Sequence, residues 1–280
     1  MGKPSLRYHR RIVDVRDSSA FVRGHLNGAV NIPLAELPGR VHELPPKQTP
    51  LEICGESTEQ IQQAIDRLSL SGRKAIVSAG TPETWPEPLG QGESRSRLWQ
   101  PATWLTEAMD TLNPPIGEAM DLACGSGRNA IWLALQGWRV TGFDLLDDAL
   151  DRARSLARHH HVHPEFRCAD LQAEDFRLQK ERADLVIVFY YLHRPLLEQI
   201  RSAVRPGGAV IYETFTTAES PRIRRPGRLF KPGELRQFFS DWDLLAYRES
   251  PTAKDGSLLH RRNVASLLAR KPNLQKTIFS

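Results

Sequence analysis

The stretch Asp121-Leu-Ala-Cys-Gly-Ser-Gly-Arg-Asn129 constrains the fold more than any other. An apolar run from Glu118 to Ala123 leads into it and reads as a strand. A helical pattern follows, from about Arg128 to Gln136. The two glycines between them permit a tight turn and let a ligand approach the backbone without a Cβ in the way. The start of the helix offers N–H groups with no partner inside the helix. The same strand–helix alternation continues downstream. Arg139 to Phe143 reads as a strand, Asp147 to His160 as a helix, and Glu165 to Cys168 and Leu185 to Tyr190 as strands. Leu196 to Val204 reads as a helix ended by Arg205-Pro-Gly-Gly208, and Ala209 to Glu213 as the next strand. A lead-in helix, Ala102 to Leu112, stops at Asn113-Pro-Pro. This order predicts a doubly wound α/β sheet, whose ligands bind at the carboxyl ends of the strands.

Those strand ends carry acids. Asp144 closes the strand after the glycine turn, about 20 residues on, where a carboxylate can accept hydrogen bonds from both ribose hydroxyls. Asp170 follows the next strand, where a carboxylate could receive an adenine amino group. A glycine-rich turn alone is weak evidence. Asp121, Gly125, Gly127, Asp144 and Asp170 in this order make a much narrower pattern.

The pattern resembles the class I S-adenosylmethionine-dependent methyltransferases over about residues 100–272. The first family motif is acid-x-Gly-x-Gly-x-Gly; here Ala123 replaces the first glycine. Within that class the half is similar to the tellurite-resistance group and its thiopurine-methyltransferase-like relatives. Leu229-Phe-Lys-Pro-Gly-Glu-Leu-Arg236, Asp241-Trp-Asp-Leu-Leu-Ala-Tyr247 and His260 to Arg270 carry the narrower likeness. The resemblance implies S-adenosylmethionine as donor and S-adenosylhomocysteine as product. The implied donor-binding residues are Asp121, Ala123, Gly125, Gly127, Arg128, Asn129, Asp144, Asp170 and Phe189.

Methyl transfer from a sulfonium needs mainly alignment and desolvation of the reacting pair. A thiolate, selenolate or tellurium oxyanion therefore needs little acid–base help, whereas an oxygen or carbon acceptor calls for a base. Acceptor-side candidates follow the Leu185 strand: Tyr190, Tyr191, His193 and Arg194. The basic segment Arg222 to Lys231 could hold an oxyanion or an RNA phosphate, or be a solvated loop. His159-His-His-Val-His163 has no acid or cysteine at ligand spacing, so no metal site is expected. Cys124 and Cys168 read as packing residues.

The first half alternates shorter strands and helices. Arg11 to Val15, Gly28 to Ile32, Leu51 to Cys54 and Lys74 to Ser78 read as strands. Between the last two, Ile61, Ala64, Ile65 and Leu68 mark one helix face. A small parallel α/β domain is expected. Val13-Asp-Val-Arg-Asp17, Phe21 and Gly24-His-Leu-Asn-Gly-Ala-Val-Asn-Ile-Pro33 resemble the rhodanese domain, with the likeness running over about residues 5–86. That resemblance places Cys54 where the family has its nucleophile. The family loop is Cys-x-x-Gly-x-Arg, which cradles a persulfide and lowers the thiol pKa. Cys54-Gly-Glu-Ser-Thr-Glu59 lacks the later glycine and the arginine and carries two carboxylates. Cys54 is thus either a modified sulfur or metalloid carrier or a residual cysteine in an inactive fold.

Pro82 to Arg97 is rich in Pro, Gly and small polar residues and reads as a linker. The expected domains are residues 1–86 and 100–280, joined by 87–99. No apolar run approaches the ~20 residues of a membrane span, and Met1 to Arg11 lacks the apolar core of a signal peptide. Three scattered cysteines fit a reducing, cytoplasmic setting. The net charge of +5 allows an anionic small substrate or a nucleic acid. Three functions compete: transfer to a small chalcogen nucleophile, RNA (tRNA) modification, and a non-catalytic S-adenosylmethionine sensor. The expected partners are a small-molecule acceptor and, through the first half, a sulfur-relay or other protein, with no membrane.

Overall fold

The computed structural model describes residues 11–73, 76–86, 88–94, 96–217, 226–251 and 263–273. Among these, the chain divides into two compact units that part between Gln100 and Pro101. The start of the Lys74 strand, Arg222 to Arg225 of the basic segment, and His260 to Arg262 lie outside the described residues.

In the first unit, β1 (Ile12–Asp14), β2 (Val30–Asn31), β3 (Leu51–Cys54) and β4 (Ile76–Gly80) form a parallel sheet in the order β2-β1-β3-β4. A short helix, α1 (Ser18–Arg23), follows β1; its six residues carry too little periodicity to be read from sequence. Helix α2 (Thr58–Leu70) starts at Ser57, whose side chain accepts the Gln60 N–H. It buries Ile61, Ala64 and Leu68 against Val13, Val15, Ile32 and Ile53. Each such aliphatic side chain contributes about 1.5–3 kcal/mol when fully buried.

Composition marks Pro82 to Arg97 as a linker, but much of it is packed on this unit. His25 and Gly90 exchange backbone hydrogen bonds at 2.9 and 2.8 Å, and the Gly92 N–H donates to the Val22 carbonyl at 2.8 Å. Leu89 packs near Phe21 and Leu26, and Leu98 joins the α2 core. Trp85 and Leu89 within the Pro/Gly-rich stretch, and Leu98 just after it, anchor it to this unit.

The second unit is a seven-stranded sheet in the order β10-β11-β9-β8-β5-β6-β7. Its strands are β5 (Glu118–Leu122), β6 (Arg139–Asp144), β7 (Glu165–Cys168), β8 (Ala183–Phe189), β9 (Val204–Phe215), β10 (Asp243–Pro251) and β11 (Asn263–Arg270). Its helices are α3 (Thr103–Leu112), α4 (Arg128–Leu135), α5 (Asp147–His159), α6 (Arg194–Ala203) and the short α7 (Glu234–Phe238). Strands β5 to β9 are parallel, β11 pairs antiparallel with β9, and β10 pairs antiparallel with β11. The sheet is therefore a mixed Rossmann-like one. Strand β9 begins at Val204 and runs through Pro206-Gly-Gly208, which sequence reads as the break before it. Strands β5 and β8 are almost wholly buried, as central parallel strands must be. No helix among the described residues is long and apolar enough to cross a membrane.

Candidate active site

The glycine turn leaves β5 through three residues of positive φ: Ala123 at 60°, Gly125 at 53° and Gly127 at 75°. The left-handed region suits glycine and costs an L residue roughly 1–2 kcal/mol. The alanine in place of the first family glycine is therefore strained. Gly125 faces open space, with nothing within 4 Å of an added Cβ. Gly127 is tight: a Cβ there would lie 2.8 Å from the Ala153 Cβ and 2.9 Å from the Phe166 ring.

Asp144 ties this turn to the end of β6. Its Oδ2 accepts the Gly125 N–H at 2.8 Å and its Oδ1 the Leu146 N–H at 3.0 Å. Each oxygen keeps acceptor capacity beyond these bonds. Leu145 and Leu146 beside it are large apolar side chains left exposed. Sequence reading passed over them; two leucines after a strand-end acid are the available signal. Asp170 lies two residues beyond β7, exposed, with Oδ1 accepting the Gln172 N–H at 2.9 Å.

Asp121 is buried, and its Oδ2 has no hydrogen-bond partner. Desolvation pushes its carboxyl up to about 7; the Ala130 N–H opposes this and the Asp144 charge adds to it. Burial also lowers the Arg128 guanidinium and raises the Cys124 thiol. The Asn129 Oδ1 accepts the Ala102 N–H at 2.8 Å and so fixes the start of α3 beside the turn. Cys168, read as core, is exposed at the end of β7. Among the described residues no group of three or more His, Cys, Asp or Glu could hold a metal ion.

The acceptor-side candidates separate. Phe189 is buried at the end of β8. Tyr190 follows at a φ of 57° and is 44% exposed; its hydroxyl donates to Glu213 Oε1 at 2.9 Å. Burial raises the Tyr191 phenol, and its carbonyl accepts the Tyr212 hydroxyl at 2.8 Å. His193 is the residue before α6. Arg194 is held internally. It donates to both Glu234 oxygens at 2.7 and 3.0 Å, and to the Gly227 and Leu229 carbonyls at 2.8 and 2.9 Å. It fastens the segment after β9 instead of standing open to an acceptor.

In the first unit, Cys54 is 0% exposed and packs with Ile12, Phe21, Leu26, Ala29 and Trp85. Its thiol reaches the Val13 carbonyl at 3.7 Å. Two backbone N–H groups after it are already taken: Glu56 donates to Gln60 Oε1 at 2.8 Å and Gln60 to Ser57 Oγ at 3.2 Å. Helix α2 begins at Thr58, so little loop remains to form a cradle. Asp14 and Arg16 pair as their spacing permits, with Arg16 Nη2 at 2.7 Å from Asp14 Oδ2 and its guanidinium 4.5 Å over the Trp85 ring.

Residues 119–208 match the model of a methyltransferase domain, and residues 2–85 that of a rhodanese-like domain. Hemagglutinin 1 of Eikenella corrodens is 28% identical over 60% of this chain and 58% of its own length. The probable S-adenosyl-L-methionine-dependent methyltransferase TehB of Haemophilus influenzae is 24% identical over 55% of this chain and 57% of its own. The chain thus spans less than two thirds of the length of either relative. An uncharacterized protein of Schizosaccharomyces pombe is 24% identical over 86% of the chain, a span that takes in both units. The crystal structure of TehB from Haemophilus influenzae covers 60% of this chain and 61% of its own, at a TM-score of 0.50 and 21% identity, a likeness of fold. The first unit is a rhodanese-like domain, and the second is a methyltransferase domain on a Rossmann-like sheet.

Proposed function

With a methyltransferase domain as the premise, we propose that this chain transfers a methyl group from S-adenosylmethionine to a small nucleophile, a thiol, sulfide, selenium or tellurium species. The observation that carries the donor reading is the turn itself. Gly125 leaves open space, and the buried Asp121 Oδ2 beside it lacks a partner. A cationic, hydroxyl-bearing ligand fits both. Its sulfonium supplies an already activated methyl group.

The chain's own residues then bind and orient. Asp144 accepts the ribose hydroxyls with the lone pairs that Gly125 and Leu146 leave over. Leu145 and Leu146 offer the adenine an apolar surface, and Asp170 an acceptor. Ionised Asp121 favours a nearby ammonium. Asn129, with its Oδ1 engaged, acts by holding α3 in place. The donor is supported by the relative named a probable S-adenosyl-L-methionine-dependent methyltransferase; the small chalcogen acceptor rests on the similarity to the tellurite-resistance group and on the chemistry of soft nucleophiles.

The rhodanese-like unit is read as inactive in sulfur transfer and as a surface for a partner protein. The burial of Cys54 and the engaged N–H groups after it support this. A persulfide needs an exposed, electropositive cradle.

The test is incubation with methyl-labelled S-adenosylmethionine and, in parallel, small thiols, sulfide, selenite, tellurite or bulk tRNA. Label in the volatile or extractable fraction is expected. Label in precipitated RNA overturns the acceptor assignment. Cys54→Ala should leave the transfer rate nearly unchanged; a large loss would return the first unit to the chemistry.

A further inference from the structure

One group at the acceptor side is not used by the reading above. Glu213, near the end of β9, is only 6% exposed. Its Oε1 accepts the Tyr190 hydroxyl at 2.9 Å and its Oε2 the Ser266 hydroxyl at 2.7 Å. Among the described residues no Lys, Arg or His forms an ion pair with it. The carboxylate is thus held at both oxygens by hydroxyl donors, one of them the acceptor-side Tyr190.

The register places it. Phe189 pairs with Glu213 across β8 and β9, and Glu213 with Ser266 across β9 and β11. On the other side of β8, Val188 pairs with Leu122, the residue before the strained turn. Neighbouring strands lie about 4.8 Å apart, so this row sits at the same end of the sheet as the glycine turn. Tyr190 reaches out of the row. Its φ of 57° is a conformation that bulky residues seldom adopt and that costs roughly 1–2 kcal/mol. Its ring stacks on Phe215, with centroids 5.3 Å apart, while its hydroxyl stays on Glu213. Strain of this kind persists where the surroundings over-determine it, and it clusters at functional sites.

We infer that Tyr190 and Glu213 form a proton relay for the acceptor, with Ser266 as a positioning residue, so that the substrate class is a neutral, protonated chalcogen nucleophile. The inference rests on the methyl-transfer reading above. In the step, the acceptor S–H bond breaks and its proton passes to Tyr190 Oη. The Tyr190 proton passes to Glu213 Oε1. The sulfur keeps the electron pair and forms the new bond to the methyl carbon. The donor's sulfonium C–S bond breaks, and its pair remains on the donor sulfur.

The experiment uses the full chain and a series of small thiols whose pKa values run from well below the assay pH to well above it. Wild type, Tyr190→Phe and Glu213→Gln are compared. Both variants should lose about 10²-fold in rate on weakly acidic thiols, the ordinary scale of general-base catalysis. Both should stay near wild type on thiols that are already ionised. A loss that is uniform across the series, or no loss, overturns the relay and leaves the methyl-transfer reading standing. A second measurement is the pH profile of the rate on one weakly acidic thiol. Wild type should stay active below the thiol's pKa, whereas Tyr190→Phe and Glu213→Gln should follow the fraction of thiol already ionised. Parallel profiles in all three overturn the relay, and no transfer to any thiol by wild type sinks the methyl-transfer reading on which it rests.

Discussion

Asp14 ends β1 in the first unit, and Asp121 lies one residue from the end of β5 in the second. Both are buried, at 0% and 1% exposure, and both sit on inner strands with a parallel neighbour on each side. Asp14 is closed off by its own chain: Arg16 gives it a backbone N–H at 3.0 Å and side-chain donors at 2.7–3.2 Å. Asp121 keeps one oxygen without a partner. A parallel sheet delivers an acid to its carboxyl edge in either case. Whether that acid holds a loop or waits for a ligand is decided two residues later, by an arginine that folds back or by a glycine turn that stands open.

The sharpest test of the closed aspartate is Arg16→Met. It strands a buried carboxylate, and loss of one member of such a pair costs about 3–5 kcal/mol. Urea unfolding of the full chain should show an earlier transition for the first unit. An unchanged transition would mean that Asp14 finds other partners and that the contrast is superficial.

Asp144→Ala probes the open side. Hydrogen bonds to a charged group are worth about 1.5–3 kcal/mol each, so donor affinity should fall about 10²-fold or more by calorimetry. Near-normal binding would remove the donor from the turn.

Asp121→Asn tests the unpartnered oxygen through pH. The folded-state pKa of Asp121, about 7, lies above its ordinary 3.8. The native state therefore holds a proton that the unfolded chain releases. Donor-free stability falls as pH rises between those two values and is level above them, with a slope of at most about 1.4 kcal/mol per pH unit. The variant should lose that slope in melts taken across the window. A slope that persists assigns it to another group.

The smallest effect concerns the turn. Ala123→Gly relieves a left-handed alanine and should stabilise the donor-free protein by about 1 kcal/mol, read as a higher Tm. Destabilisation would mean that the methyl group packs better than its backbone strain costs.

The alternation of strands and helices was legible because central parallel strands are continuous apolar runs and the helices between them carry one-sided faces. The glycine turn and Asp144 were legible because spacing alone sets them at strand ends. Glu213 was not. It sits inside an apolar strand, and only the pairing of β9 with β8 and β11 brings Tyr190 and Ser266 to it. Arg194 misled in the opposite sense. An arginine after a strand suits an anion, but Glu234, 40 residues on, takes it. Sequence likewise marks Cys54 by position and cannot tell that Ser57 and Gln60 fill the N–H groups behind it.

The tightness at Gly127 also bears on how the chain is made. Phe166 and Ala153 press on Gly127, and Phe166 presses on Gly142 as well. Both belong to elements that leave the ribosome after the turn. The packing around the turn is thus completed by side chains of α5 and β7. A fragment ending before Phe166 would carry Asp121 to Asn129 without the ring that lies against Gly127 and Gly142. The signature is local in the gene and non-local in the fold.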